Sequence, residues 1–258
     1  MRRRTKALLG AGFAGSIVLG GYVGPAMAAT TTQRITEQTL HDGNPPNDSD
    51  DTGWYREDTR TGGGVNLTED FGEPAALGDD DGSVALTTNN TNTAKAQLYT
   101  SQFNGTLLAT ITNLSYYTHQ GAEHQGFEDG AVAYQIQVDV NGGEFEGQPG
   151  EFLTLTYEPY LNQTESQGVE PEVWQFWDAT NGNWYTSRDI NCGTLQIPGS
   201  SGTPPFTDPT EVGTNCVGAS VLGVGINIGS SNPNYVTAAD GVHFETATDS
   251  YTGDFGPK

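Results

Sequence analysis

The sequence predicts an all-β protein: an antiparallel, jelly-roll-like β-sandwich behind a disordered N-terminal segment. Three observations carry that expectation. Apolar and polar residues alternate over short runs, most cleanly where Val132, Tyr134, Ile136, Val138 and Val140 interleave with Ala133, Gln135, Gln137 and Asp139. Turn-forming Asn and Gly recur between such runs, as at residues 89–92 and 141–143. The 35 glycines, with frequent Thr and Asn and few Lys or Leu, suit strands and turns and disfavour long helices.

In chain order, Arg2, Arg3, Arg4 and Lys6 precede a glycine-rich apolar run over residues 7–23 and an Ala26-x-Ala28 pattern. This predicts a secretory signal peptide over residues 1–28, too short in its apolar part for a membrane span. Arg3-Arg4 fits a twin-arginine route as well as the general one. The leader holds four of the ten basic residues and none of the 32 acidic ones, so its removal takes the net charge from −22 to −26. Such a field repels phosphate backbones and anionic lipid, which argues against nucleic acid and against membrane insertion after cleavage. Residues 29–64 are polar, acidic and interrupted by Pro45-Pro46, which predicts a flexible linker; Trp54-Tyr55 within it suits the start of a first strand. Residues 65–258 are long enough for one β-sandwich core.

Within that domain, strands are predicted at 83–88, 94–101 and 106–118. In the last of these Leu107, Ala109 and Ile111 share one phase while Leu114 and Tyr116 take the other, so one residue must be absorbed near Asn113, as a β-bulge does. Further strands fall at 132–140 and 151–157. Residues 173–188 then hold three of the four tryptophans in two extended runs, and Asn181-Gly182-Asn183 between them predicts a tight hairpin. Strands at 220–228, 240–248 and 250–255 close the domain, with no helix longer than a turn or two. Cys192 and Cys216, in an exported chain, predict a disulfide clipping a Pro/Gly-rich excursion.

Several short elements resemble β-sandwich domains of secreted bacterial proteins that mostly lack an assigned function. They are Thr93-Ala94-Lys95-Ala96-Gln97-Leu98, Leu107-Leu108-Ala109 with Leu114-Ser115-Tyr116, Trp174 with Trp177-Asp178 and Gly182 before Trp184, Gly223-Val224-Gly225 with Asn227 and Gly229-Ser230, and Tyr251 with Asp254-Phe255. The resemblance spans about residues 80–256 and departs at Tyr185 and at Gly256-Pro257. It implies a jelly-roll-like fold and an extracellular setting, and carries no catalytic residues.

The aromatic rings either fill the sandwich core or, in part, form a platform for a sugar polymer, for which Trp54, Trp177, Trp184 and Tyr185 are the candidates. Asp79 and Asp81, before Gly82, offer the hard oxygens of a calcium loop, with an acidic turn as the plainer alternative. His119, Glu123 and His124 crowd into a predicted loop and could reach one transition metal. Glu151, Glu158, Glu170 and Glu172 are the carboxyls available for glycoside hydrolysis, though in no recognisable motif, and no Gly-x-Ser-x-Gly elbow exists. The sequence therefore favours a secreted, non-catalytic module that binds an extracellular glycan or cell-envelope polymer. The alternatives are a structural surface protein with acidic calcium-binding loops and, third, a polysaccharide-active enzyme.

Overall fold

A computed structural model describes residues 29–43, 53–78, 82–122, 129–140, 152–200 and 202–258; the leader and the acidic stretch around Pro45-Pro46 lie outside the described residues. Sixteen strands are described. They are β1 (Ala29–Ile35), β2 (Leu40–Asp42), β3 (Trp54–Arg56), β4 (Gly63–Thr68), β5 (Ser83–Thr88), β6 (Ala96–Thr100), β7 (Ile111–Gln120) and β8 (Ala133–Asp139), followed by β9 (Phe152–Tyr157), β10 (Trp174–Asp178), β11 (Trp184–Thr186), β12 (Ile190–Cys192), β13 (Leu195–Ile197), β14 (Ser220–Ile228), β15 (Val236–Thr246) and β16 (Asp249–Phe255). One short helix, α1 (Pro209–Asn215), precedes β14.

The strands form two seven-stranded sheets and the separate β12–β13 pair. In the first sheet β10 pairs with β7 and β7 with β15. On its other side β15 forks: Val236–Ala239 pairs with β5, which continues to β4, and Val242–Glu245 pairs with β16, which continues to β1. The second sheet runs β11-β9-β8-β14-β6-β3-β2. The all-β sandwich expected from alternation is the observed fold, and the predicted strands at 83–88 and 220–228 coincide with β5 and β14.

The bulge expected near Asn113 is present. Thr246 faces Ile111 while Glu245 faces Asn113, so Thr112 is the extra residue on β7. A second irregularity lies on β15, where Gly241 at φ 56° and Val242 stand between Asp240, facing Tyr117, and His243, facing Ser115. Only glycine adopts that backbone conformation cheaply. The buried Asp240 carboxylate fixes the kink, its Oδ1 accepting from Gly241 N at 2.7 Å and from Phe255 N at 2.9 Å.

Two expectations are corrected. The segment 29–64, expected to be a flexible linker, supplies β1, β2, β3 and the start of β4. Ile35, Leu40 and Trp54 are its buried apolar anchors, and the remaining stability comes from ladder bonds to sheet edges that already exist. Its β1–β16 and β2–β3 pairs are parallel, while the other strand pairs of the two large sheets, β3–β6 and β4–β5 included, are antiparallel. Arg56 links the segment's own parts through Glu37 at 3.0 Å and Asp42 at 3.1 Å, and reaches β4 by donating to the Val65 carbonyl at 3.0 Å.

The run 173–188 is not a hairpin. β10 pairs with β7 in the first sheet and β11 with β9 in the second, so Asn181-Gly182-Asn183 turns the chain across the sandwich. Trp177 and Trp184 are both committed to the space between the sheets, which a hairpin lying within one sheet would not fill. The one helix, α1, has seven residues, within the turn or two that the sequence allows, and stands inside the clipped excursion. Asp208 caps it by accepting from Glu211 N at 2.8 Å, with Pro209 in the first turn. The disulfide Cys192–Cys216 is formed, with a Cα–Cα distance of 5.0 Å, and joins β12 to the end of α1.

The core lies between the two large sheets. Trp54, Trp177, Trp184, Tyr116, Tyr134 and Tyr157 are buried there, and the three indoles and the first two phenols find the hydrogen-bond partners that burial demands. Trp54 Nε1 donates to Tyr251 Oη at 2.8 Å, Trp177 Nε1 to Thr118 Oγ1 at 2.8 Å and Trp184 Nε1 to the Ala179 carbonyl at 2.8 Å. Tyr116 and Tyr134 donate to the carbonyls of Val132 and His243.

Candidate functional site

The proposed platform residues Trp54, Trp177 and Trp184 are at most 2% exposed, so none of them can stack against a sugar. Tyr185 is half-buried on the outer face of the second sheet, where its hydroxyl donates to Glu158 Oε1 at 3.1 Å. His119 lies in β7 rather than in a loop. Its companions Glu123 and His124, and the calcium candidates Asp79 and Asp81, fall outside the described residues. Among the described residues no three His, Cys, Asp or Glu side chains converge as a metal site.

The outer face of the first sheet presents a different aromatic surface. On β7 the residues Leu114, Tyr116 and Thr118 point into the core, which turns Ser115, Tyr117 and His119 outward. On β10 Trp177 points inward, which turns Trp174, Phe176 and Asp178 outward. The antiparallel register sets Trp174 opposite His119, Phe176 opposite Tyr117 and Asp178 opposite Ser115. The rings touch accordingly: His119 and Trp174 at 5.4 Å between centroids, Tyr117 and Phe176 at 5.2 Å. Phe71, from the segment crossing this face, adds a third layer 5.1 Å from His119, and its carbonyl accepts from Trp174 Nε1 at 3.0 Å. The result is a strip of five rings. Phe176 is 48% exposed and neighbouring Val173 42%, while Trp174, Tyr117, His119 and Phe71 are partly exposed.

The strip is held rigidly. Gly241 packs closely against Tyr117: a Cβ there would stand 3.0 Å from the Tyr117 ring and 3.3 Å from Leu77, so both would have to shift by a few tenths of an ångström to admit one. The free edge of β10 is closed by side-chain bonds to the preceding loop: Gln167 Nε2 donates to the Phe176 carbonyl at 2.7 Å, and Gln175 bonds Glu170 N and the Gly168 carbonyl. The face stays accessible while the edge is blocked against strand addition. Burial lowers the pKa of His119, with the Glu172 backbone and carboxylate opposing the shift, so the imidazole is neutral at pH 7.

The outer face of the second sheet carries a polar row instead. Tyr185, Thr156, Gln135, Gly225 and Tyr99 stand opposite one another across five strands. The Tyr99 ring lies over Gly225, where a Cβ would come within 2.7 Å of it. Tyr99 Oη donates to Gln135 Oε1 at 2.7 Å and Gln135 Nε2 to Thr156 Oγ1 at 3.1 Å. At one end Burial pushes the Glu158 carboxyl up to about 7, against the opposing effect of its Tyr185 hydrogen bond. At the other Glu57, its pKa also raised by burial, accepts from Gln137 Nε2 at 3.3 Å. Gln137 faces Thr154, four positions before Glu158 on β9, or about 13 Å along a strand. A hydrolytic carboxyl pair stands about 5 to 9.5 Å apart, so by backbone position these two do not form one. Glu170 and Glu172 are exposed on the other sheet's side, and Glu151 lies outside the described residues.

No protein-family profile, curated protein or solved structure matches this chain. Function therefore rests on the chemistry of these two faces. The residues that sequence reasoning missed, Trp174, Phe176, Tyr117 and Phe71, did carry a signal: Trp174 and Phe176 are in the phase opposite to Trp177, and one phase of a half-buried strand must face solvent.

Proposed function

We propose that this is a secreted, non-catalytic β-sandwich protein that binds an extracellular glycan or cell-envelope polymer through the Phe71–His119–Trp174 and Tyr117–Phe176 strip. The observation that carries it is the exposure of Phe176 and Val173 beside partly exposed rings on a rigid sheet face. Aromatic area kept in water at a fixed spacing costs solubility and is retained where it meets a ligand, and sugar C–H faces stack on such rings. Secretion is supported by the leader pattern and by the disulfide. The resemblance to secreted bacterial β-sandwich domains fits the extracellular setting.

Affinity electrophoresis and pull-down against a panel of insoluble and soluble polysaccharides test it. At least one polymer should retain the mature protein, and Phe176→Ala should weaken that retention about tenfold, the equivalent of about 1.4 kcal/mol, with an unchanged melting temperature. Trp174→Ala should weaken it as well. Retention of no polymer, or retention indifferent to both substitutions, would remove the proposal.

A further inference from the structure

The strip is bracketed by carboxylates. Asp178 is exposed two positions beyond Phe176 on the outward phase of β10, and Glu172 stands two positions before Trp174, its peptide N–H bonded to the Gln120 carbonyl at 2.8 Å. Glu172 lies near enough to His119 to favour its protonated form, which places its charge at the Trp174 end of the strip. Asp70 is exposed beside Phe71 in the segment that crosses the same face, where the neighbouring Glu69 is paired with Lys258. No lysine or arginine stands among the strip residues.

Basic side chains elsewhere are committed to other partners. Past residue 60 the chain has only Lys95, Arg188 and Lys258. Lys95 pairs with Asp58 at 2.8 Å, Lys258 with Glu69 at 2.8 Å, and Arg188 lies over Phe152 at 5.9 Å. At the Asp178 end the row continues through Ser115 to His243, whose Nε2 faces Glu245 at 3.2 Å. An anionic polymer on this face would meet the exposed carboxylates of Glu172 and Asp178 at the two ends of the strip. A cation would meet carboxylates at the ends and ring faces between them, both of which attract it.

From this we infer that the strip takes a glycan carrying free, protonated amino groups, with Glu172 and Asp178 as the groups that select it. This rests on the glycan-binding role proposed above and adds the ligand's charge. A neutral glycan would use the rings alone, and a uronic acid polymer would be excluded.

Isothermal titration with a soluble glucosamine oligomer and with its fully N-acetylated counterpart tests it, the readout being the ratio of the two affinities. The mature protein should prefer the amine form about tenfold at low salt, and 0.5 M salt should erase most of that preference. Glu172→Gln with Asp178→Asn should bring the ratio close to one, whereas Asp42→Asn, on the other sheet, should leave it in place. Equal affinity for both oligomers in the unsubstituted protein would overturn the inference and leave glycan binding intact. A preference that survives both the Glu172/Asp178 pair of substitutions and Phe176→Ala would mark general charge attraction by an acidic protein and would also overturn it. Polylysine binding with the same dependence on Phe176 and Asp178, and no oligomer binding, would assign the face to a basic protein instead. Binding of neither oligomer nor polylysine would overturn this inference and leave glycan binding to the polysaccharide panel.

Discussion

Trp174 and Trp177 are three residues apart and have opposite fates. Trp177 fills the space between the sheets and donates to Thr118, while Trp174 lies on the outside against His119 and Phe71. Truncating Trp177 to alanine should cost about 3–5 kcal/mol in a denaturant melt, as large buried rings do. The sequence discloses the alternation but not which phase faces in, because both phases are aromatic; only pairing with β7 decides it. Glu158 offers a second test at this scale. Its carboxyl has a folded value of about 7 against an ordinary 4.5, so the folded chain holds its proton more tightly. The stabilisation this brings is complete below about pH 4.5 and is lost as pH rises through about 7. Thermal melts of the unsubstituted protein should therefore decline more steeply between pH 5 and 8 than those of Glu158→Gln. Glu57 and Asp240, also raised by burial, are common to both proteins and cancel in the difference. Parallel profiles would show that Glu158 has no special environment.

Among the elements, strands buried on one face with strict alternation were the most legible, and β5, β8, β9 and β14 lie close to their expected places. The bulge on β7 was legible for the same reason, since a phase reversal inside one run has few other causes. Asn-Gly-Asn between β10 and β11 was read as a hairpin because local turn chemistry does not say whether the flanking strands return to one sheet or pass to the next. The short helix α1 had a signal in Asp208-Pro209 with Glu211, a cap, a first-turn proline and an acidic first turn, but it sits in a loop-rich excursion without an apolar period to mark it. The disulfide fastens this excursion, closing a separation of 24 residues. Replacing both cysteines by serine should lower stability by about 3 kcal/mol on the chain-entropy account, and a loss under about 0.5 kcal/mol would show that β12, β13 and α1 are held by packing alone.

Across the whole molecule, the least legible part was the segment 29–64. Its few apolar residues cannot build a core, yet β1 and β3 draw their stability from sheets made by the rest of the chain, and β2 from β3. Edge strands of that kind leave little hydrophobic pattern to detect. The completed sandwich has two unlike outer faces: a polar, internally bonded row on the second sheet and an exposed aromatic strip bordered by carboxylates on the first. Of the four tryptophans only Trp174 shares its surface with solvent, so a ligand on the first sheet has one optical reporter. Acrylamide quenching of tryptophan fluorescence, with and without the polymer that retains the protein, is the most direct test of which face binds. A small quenchable fraction should be present, should vanish in Trp174→Phe and should be shielded by bound polymer. A quenchable fraction that persists in Trp174→Phe, or that bound polymer leaves fully accessible, would contradict the assignment of binding to this face.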